Sequence, residues 1–135
     1  MHHAAIEVAD LARATRFYTD VVGLHPHPRR PHWLAGAGAC ELHLIEVPDA
    51  RTAGRPPTRA HIAFVTPSLE EMRDRLLDAG CEPWQNGFDW SARAITGPEQ
   101  SLDWGIGTIF VSDPDGHVLE FVEIGRGIIA VEGGD

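Results

Sequence analysis

His3-Ala4-Ala5-Ile6-Glu7-Val8, near the start of the chain, and His61-Ile62-Ala63-Phe64-Val65-Thr66, near its middle, decide the fold. Each opens with a histidine, reads as a strand and runs into a helical pattern. Asp10-Leu11 follows the first and Ser68-Leu69 the second. The chain thus carries a weak internal repeat. In the first helix Asp10 is the expected N-cap, Leu11, Ala14, Phe17, Tyr18 and Val21 form the apolar stripe, and Gly23 is the stop. At that spacing Phe17 and Tyr18 are core residues. In the second helix Ser68 and Glu71 form a capping box. Leu69, Met72, Leu76 and Leu77 form its stripe, and Gly80 ends it.

Working outward, strand-like segments follow each helix: Trp33–Ala35 and Cys40–Val47 in the first copy, Cys81–Trp84, Gly107–Ser112 and Val118–Ile124 in the second. Asp113-Pro114-Asp115-Gly116 is a turn between the last two. The order β-α-β-β-β, twice, predicts an α+β fold with an antiparallel-rich sheet and its helices on one face. Module one covers about residues 1–47, a Pro-, Gly- and Arg-rich linker about 48–57, and module two about 58–124. A short tail, 125–135, is expected to fray at Gly133-Gly134. Gly87 to Trp104 is an irregular insertion in the second copy, of the kind that forms a lid over a site.

Composition narrows the function classes. The 135 residues are 43% apolar and 23% charged, as in an ordinary globular domain. The net charge is −9, which argues against a nucleic-acid partner. All 11 basic residues are arginines, leaving no lysine for Schiff-base chemistry. Cys40 and Cys81 make no disulfide framework and read as buried filler. No apolar run nears the roughly 20 residues of a membrane helix. No basic segment followed by an apolar stretch opens the chain, so a cytoplasmic location is expected.

Strand alternation then exposes a constellation. Residues two apart in a strand share a face. His3, Ala5 and Glu7 oppose Ala4, Ile6 and Val8. Glu41, His43 and Ile45 oppose Leu42 and Leu44. His61, Ala63 and Val65 oppose Ile62 and Phe64, and Val118, Glu120 and Val122 oppose Leu119 and Phe121. Four strands each offer one metal-capable side chain to one side of a sheet, its apolar side facing the helices. Three imidazoles and a carboxylate suit Zn, Ni, Co, Fe(II) or Mn. His2 competes with His3 but is expected to face the helices. His117 reads as a turn residue, and His25, His27 and His32 as residues of a solvated loop. Trp90 and Trp104, inside the insertion, are candidates for an apolar wall of the substrate pocket.

Taken together, His3-x-x-x-x-Val8-x-Asp10-Leu11, Phe17-Tyr18-Thr19-Asp20-Val21-Val22-Gly23-Leu24, Glu41-Leu42-His43-Leu44, His61-Ile62-Ala63-Phe64 and Phe110-Val111-x-Asp113-Pro114-Asp115-Gly116-His117-x-Leu119-Glu120 resemble the glyoxalase I, bleomycin-resistance and extradiol-dioxygenase superfamily, the vicinal oxygen chelate proteins. The resemblance runs from the start to about residue 124. It implies two βαβββ modules forming a cup-shaped, curled mixed sheet around one divalent ion, with helices outside. It places ligands on the first, fourth, fifth and eighth strands, at His3, His43, His61 and Glu120. His43 is either a fourth ligand or an acid/base beside the other three.

The resemblance implies Lewis-acid chemistry on a small substrate with neighbouring oxygens. The leading expectation is a glyoxalase- or epimerase-like lyase or isomerase, with an enediolate stabilised by the metal. Glu120 would shuttle the proton and His43 would assist. Glyoxalase I-like proteins tend to carry an arginine for glutathione where this chain has Glu7. An acid there would repel glutathione, so Glu7 points to a different substrate. The alternatives are an Fe(II) ring-cleaving dioxygenase, a fosfomycin-type thiol transferase and, outside enzymes, a bleomycin-resistance-like drug binder. A homodimer is the expected assembly, its metals bound within one chain or shared between two.

Overall fold

The alternation in the first quoted stretch becomes strand β1 (His3–Val8), with Ile6 and Val8 buried and His3, Ala5 and Glu7 exposed. The computed structural model describes residues 2–37, 40–50 and 59–130. Most of the expected linker and the Gly133-Gly134 tail lie outside these residues. The chain forms two units: Met1–Pro57 with Asp113–His117, and Thr58–Ser112 with Val118–Asp135.

In the first unit β1 leads into helix α1 (Leu11–Arg16). Asp10 caps it by accepting a hydrogen bond from the Arg13 amide at 3.0 Å. The helix continues as a wider π-helical segment, Phe17–Val22, and ends at Gly23, whose φ of 94° is left-handed. The Tyr18 carbonyl accepts from both Gly23 and Leu24 there, closing the helix end. Strands β2 (His25–His27), β3 (Arg30–Ala37) and β4 (Cys40–Glu46) follow. The sheet order is β1-β4-β3-β2, with β1 parallel to β4 and the other pairs antiparallel. Ala14, Phe17, Tyr18 and Val22 are buried with Ile6, Val8, Leu34, Leu42 and Leu44.

The Asp113–His117 turn completes this unit. Asp113 accepts at 2.6 Å from the buried Tyr18 hydroxyl, Asp115 accepts from the Ala9 amide at 2.9 Å, and the His117 Nε2–H donates to the Glu7 carbonyl at 2.7 Å. Burial pushes the Asp113 carboxyl above its usual range, and the Tyr18 hydrogen bond opposes that shift. Tyr18→Phe removes the opposing bond, so the folded state holds the Asp113 proton more tightly still. The resulting penalty is present above the folded pKa and absent below the unfolded one. The variant is expected to lose about 2 kcal/mol near neutral pH and less near pH 4. Urea unfolding at the two pH values checks this; an equal loss at both would refute the assignment.

The second unit repeats the plan with one addition. Strand β5 (Ile62–Val65) leads to helix α2 (Leu69–Asp78). Ser68 Oγ accepts from the Glu71 amide at 3.2 Å, and Glu123 takes the Leu69 amide at 2.9 Å. Leu69, Met72 and Leu76 are buried, whereas Leu77 is only half-buried. Strands β6 (Trp84–Asn86), β7 (Ala92–Ala94), β8 (Ile109–Ser112) and β9 (Val118–Val122) complete a sheet of order β5-β9-β8-β6-β7. β5 runs parallel to β9 and the other pairs are antiparallel.

The expected α+β class holds: each unit has a mixed sheet and few helices. Three details differ from expectation. The insertion contributes strand β7, a fourth strand after α2. His25 and His27 belong to edge strand β2, and His32 to β3, rather than to a solvated loop. The strand placed at Cys81 starts only at Trp84. No described helix is long and apolar enough to cross a membrane.

Candidate metal centre

The second unit holds the more complete part of the site. His61 precedes β5, and Glu120 lies in the middle of β9, only 8% exposed. The parallel register pairs Ala63 with Glu120, so His61 reaches it diagonally. His61 Nε2 stands 3.2 Å from Glu120 Oε1. His61 Nδ1 lies 2.7 Å from the Arg59 carbonyl, which can only accept, so Nδ1 carries the hydrogen. In the neutral form of the ring, Nε2 would turn its lone pair toward a carboxylate oxygen. Two acceptors at that distance need something positive between or beside them: a proton on Nε2, or a cation. Zinc–ligand distances of about 2 Å put two donors of one ion about 3 Å apart. A carbonyl behind the imidazole is also the usual support of a metal-bound histidine. The residues present therefore fit a divalent ion.

Thr108 fixes the carboxylate. Its hydroxyl, fully buried, donates to Glu120 Oε2 at 2.7 Å, leaving Oε1 to face His61. Gln85 holds Thr108, just before β8, by donating to its carbonyl at 3.2 Å. Thr108→Val is expected to weaken divalent metal binding about 10- to 100-fold, with Thr108→Ser restoring most of it. Competition titration against a chelating dye measures this. Unchanged affinity in the valine variant would remove Thr108 from the site.

The first unit supplies a second pair in the equivalent place. Ala5 pairs with His43 as Ala63 pairs with Glu120, and His3 lies two residues before Ala5 as His61 lies before Ala63. The His3 and His43 rings are 6.2 Å apart. Trp33 stacks on His43 at 4.1 Å and lies 4.5 Å from His3, with the Arg30 guanidinium 4.8 Å over its ring. Partial burial, then the neighbouring His3, His32 and Arg30, lower the His43 pKa. That favours the neutral imidazole a metal requires. His2 does not face the helix: it is exposed, with its Nδ1 2.9 Å from that of His3. Among the described residues no group of three His, Cys, Asp or Glu side chains is placed to hold an ion. The four candidates are two pairs, one in each unit.

A cavity of about 390 Å³ opens beside His61 and Glu120. Trp90 and Phe88 line it from the insertion, Phe110 and Ile106 from β8 and the loop before it. Ile128 and Ile129 close it from a short turn after β9. That turn approaches so closely that a Cβ on Gly127 would stand 2.6 Å from the Ile106 and Gly107 carbonyls. Trp104 is not a lining residue; its ring packs over Arg93 at 5.7 Å. Glu7 is exposed on β1 in the first unit, on the face that carries His3. Thr108 and Phe110 escaped the sequence reading, although alternation along Gly107–Ser112 puts both on one face. Trp33 carries no such signal, because its role depends on a cross-strand pairing with His43.

Comparison with known proteins agrees with this fold. The profile of the Glyoxalase/Bleomycin resistance protein/Dioxygenase superfamily matches residues 1–121, and the chain belongs to that superfamily. The virulence protein STM3117 of Salmonella typhimurium (strain LT2) is 28% identical over 125 residues, covering 87% of this chain and 79% of its own. A glyoxalase/bleomycin resistance protein/dioxygenase from Alicyclobacillus acidocaldarius superposes with a TM-score of 0.60 at 18% identity, over 90% of this chain and 88% of its own. The antibiotic-binding protein TnmS3 from Streptomyces sp. CB03234 does so with 0.54 at 20% identity, over 91% and 93%.

Proposed function

We propose that this chain is a metal-dependent enzyme of glyoxalase or epimerase type, acting on a small carbonyl compound with neighbouring oxygens. His3, His43, His61 and Glu120 would serve one divalent ion: Zn, Ni, Co, Fe(II) or Mn. The observation that carries the reading is the His61–Glu120 pair, each member held from behind and turned toward the other at 3.2 Å. A divalent ion bound there would act as a Lewis acid on the substrate oxygens. The chain's own residues do the rest. Glu120 Oε1 takes the proton from the carbon next to the carbonyl and returns it, while Thr108 keeps Oε2 occupied. Arg59, through its carbonyl, holds the His61 tautomer. His43, stacked on Trp33, is the second acid–base group of the proposal. A two-fold homodimer is part of the proposal, as the commonest closed assembly.

A sequestering binder is the competing reading, supported by the apolar lining of the cavity and the shared fold of TnmS3. Elemental analysis of protein purified without a histidine tag separates the two. Enzyme predicts about one divalent ion per site; a binder predicts ligand affinity without one. Oxygen uptake with a panel of catechols then separates an oxygenase, which consumes oxygen, from the proposed isomerase, which does not.

A further inference from the structure

We infer that the cavity beside His61 and Glu120 takes a flat aromatic small molecule carrying an anionic group, and that Phe88, Trp90 and Arg59 select it. The inference rests on the proposed function only for which end of the molecule faces His61; the ring subsite stands on the lining alone.

Three observations converge. The first is unpaid exposure: Phe88 is 77% exposed, Trp90 39% and Ile128 48%, all on one cavity. Large apolar side chains clustered at the mouth of a pocket are surface that a ligand covers. The second is backbone strain. Trp90 is the one described residue other than glycine with a left-handed backbone, at φ 66°. The turn enforces it: Gly87 donates to the Ser91 carbonyl at 2.8 Å, Trp90 donates to the Gly87 carbonyl at 3.0 Å, and Asp89 accepts from the Ser91 amide. Strain maintained by surrounding bonds marks a position whose side chain is being aimed. Here the indole is turned toward the cavity, 6.3 Å from His61 and 6.5 Å from Phe110. Phe110 is itself stacked on Trp84 at 6.0 Å and is buried, so this wall is rigid.

The third observation is charge. The Arg59 guanidinium sits 5.6 Å over the Trp90 ring, while the lining's own charge, Glu120, lies within. An anionic group therefore belongs at the Arg59 side, away from Glu120. Aromatic rings on the walls and a cation at the rim fit an aromatic acid. They do not fit a polar peptide, which would leave its hydrogen-bonding groups unpaired against phenyl and indole.

The test uses three probes of similar size by isothermal titration calorimetry, on metal-free and on zinc-loaded protein. These are 2-naphthoate, its saturated analogue decahydro-2-naphthoate, and the uncharged naphthalene-2-methanol. 2-Naphthoate is expected to bind about tenfold more tightly than the saturated acid. Trp90→Gly, which relieves the strained backbone while removing the ring, should lose about that tenfold, and Phe88→Ala several-fold. Arg59→Gln should weaken 2-naphthoate and leave naphthalene-2-methanol unchanged. Phe88 is largely exposed, so its variant keeps the test valid if Trp90→Gly fails to fold. Equal affinity for the flat and the saturated acid, or full affinity in both aromatic variants, overturns the inference. The expected pattern in protein that binds no zinc would sink the metal reading and leave the ring subsite standing.

Discussion

Glu120→Ala and His61→Ala proteins, each purified without a tag, are expected to hold far less than one divalent ion per site. Turnover should fall about 10²- to 10⁴-fold, the usual effect of losing a positioned acid–base group. The two substitutions fail for different reasons. Removing Glu120 takes away the carboxylate of the pair and strands the buried Thr108 hydroxyl, which costs about 1–3 kcal/mol. Glu120→Gln separates these effects, because it keeps an oxygen for Thr108 and discards the charge. It should fold like the parent and still lose metal. Removing His61 leaves Glu120 a buried carboxylate facing no cation. If mass spectrometry under native conditions finds both alanine variants fully loaded, these residues are not ligands.

Chains carrying His3→Ala and His61→Ala, each inactive alone, are expected to regain activity when mixed and allowed to exchange subunits. The expectation follows if the two ligand pairs of one ion come from different chains of a homodimer. Half of the randomly reassorted dimers are then mixed, and each has one site with both defects and one with neither. About a quarter of the parental activity should return. Pairs drawn from a single chain leave every site defective, and nothing returns. A monomer by light scattering at micromolar concentration would end the dimer proposal before mixing.

What could be read in advance follows a physical line. Both helices, with Asp10 and Ser68 at their starts and Gly23 and Gly80 at their ends, were legible because caps and stops act within a few residues. The inward positions of Ile6, Leu42, Leu44 and Phe64 were legible because alternation is a local period. β2 was not: His25-Pro26-His27 is polar, short and interrupted by proline, which only an edge strand tolerates. β7 was not, because all three of its residues are exposed and no face is patterned. At the candidate site, the four ligand-type residues announced themselves by residue type. Thr108 did not, because it acts through Glu120 on the neighbouring strand, and the Arg59 guanidinium did not, because the fold brings it to Trp90. Trp90 and Trp104 looked alike in the sequence. The turn at Gly87–Ser91 aims the first at the cavity, and Arg93 holds the second elsewhere.

The turn at Asp113–His117 has a consequence for how the protein is made. It supplies the acceptors for the Ala9 amide and the Tyr18 hydroxyl, partners 106 and 95 positions earlier in the chain. On a ribosome the first unit's own strands and helix emerge long before those acceptors exist. Until then a buried tyrosine and an amide at the end of β1 have no partner of their own. The first half must therefore wait, incompletely bonded, while nearly all of the second is synthesised, and the halves that look like two copies of one motif cannot mature in the order in which they are translated. Stalled nascent chains ending before residue 113 should remain protease-sensitive throughout the first unit, and protection should appear only once the turn has cleared the exit tunnel.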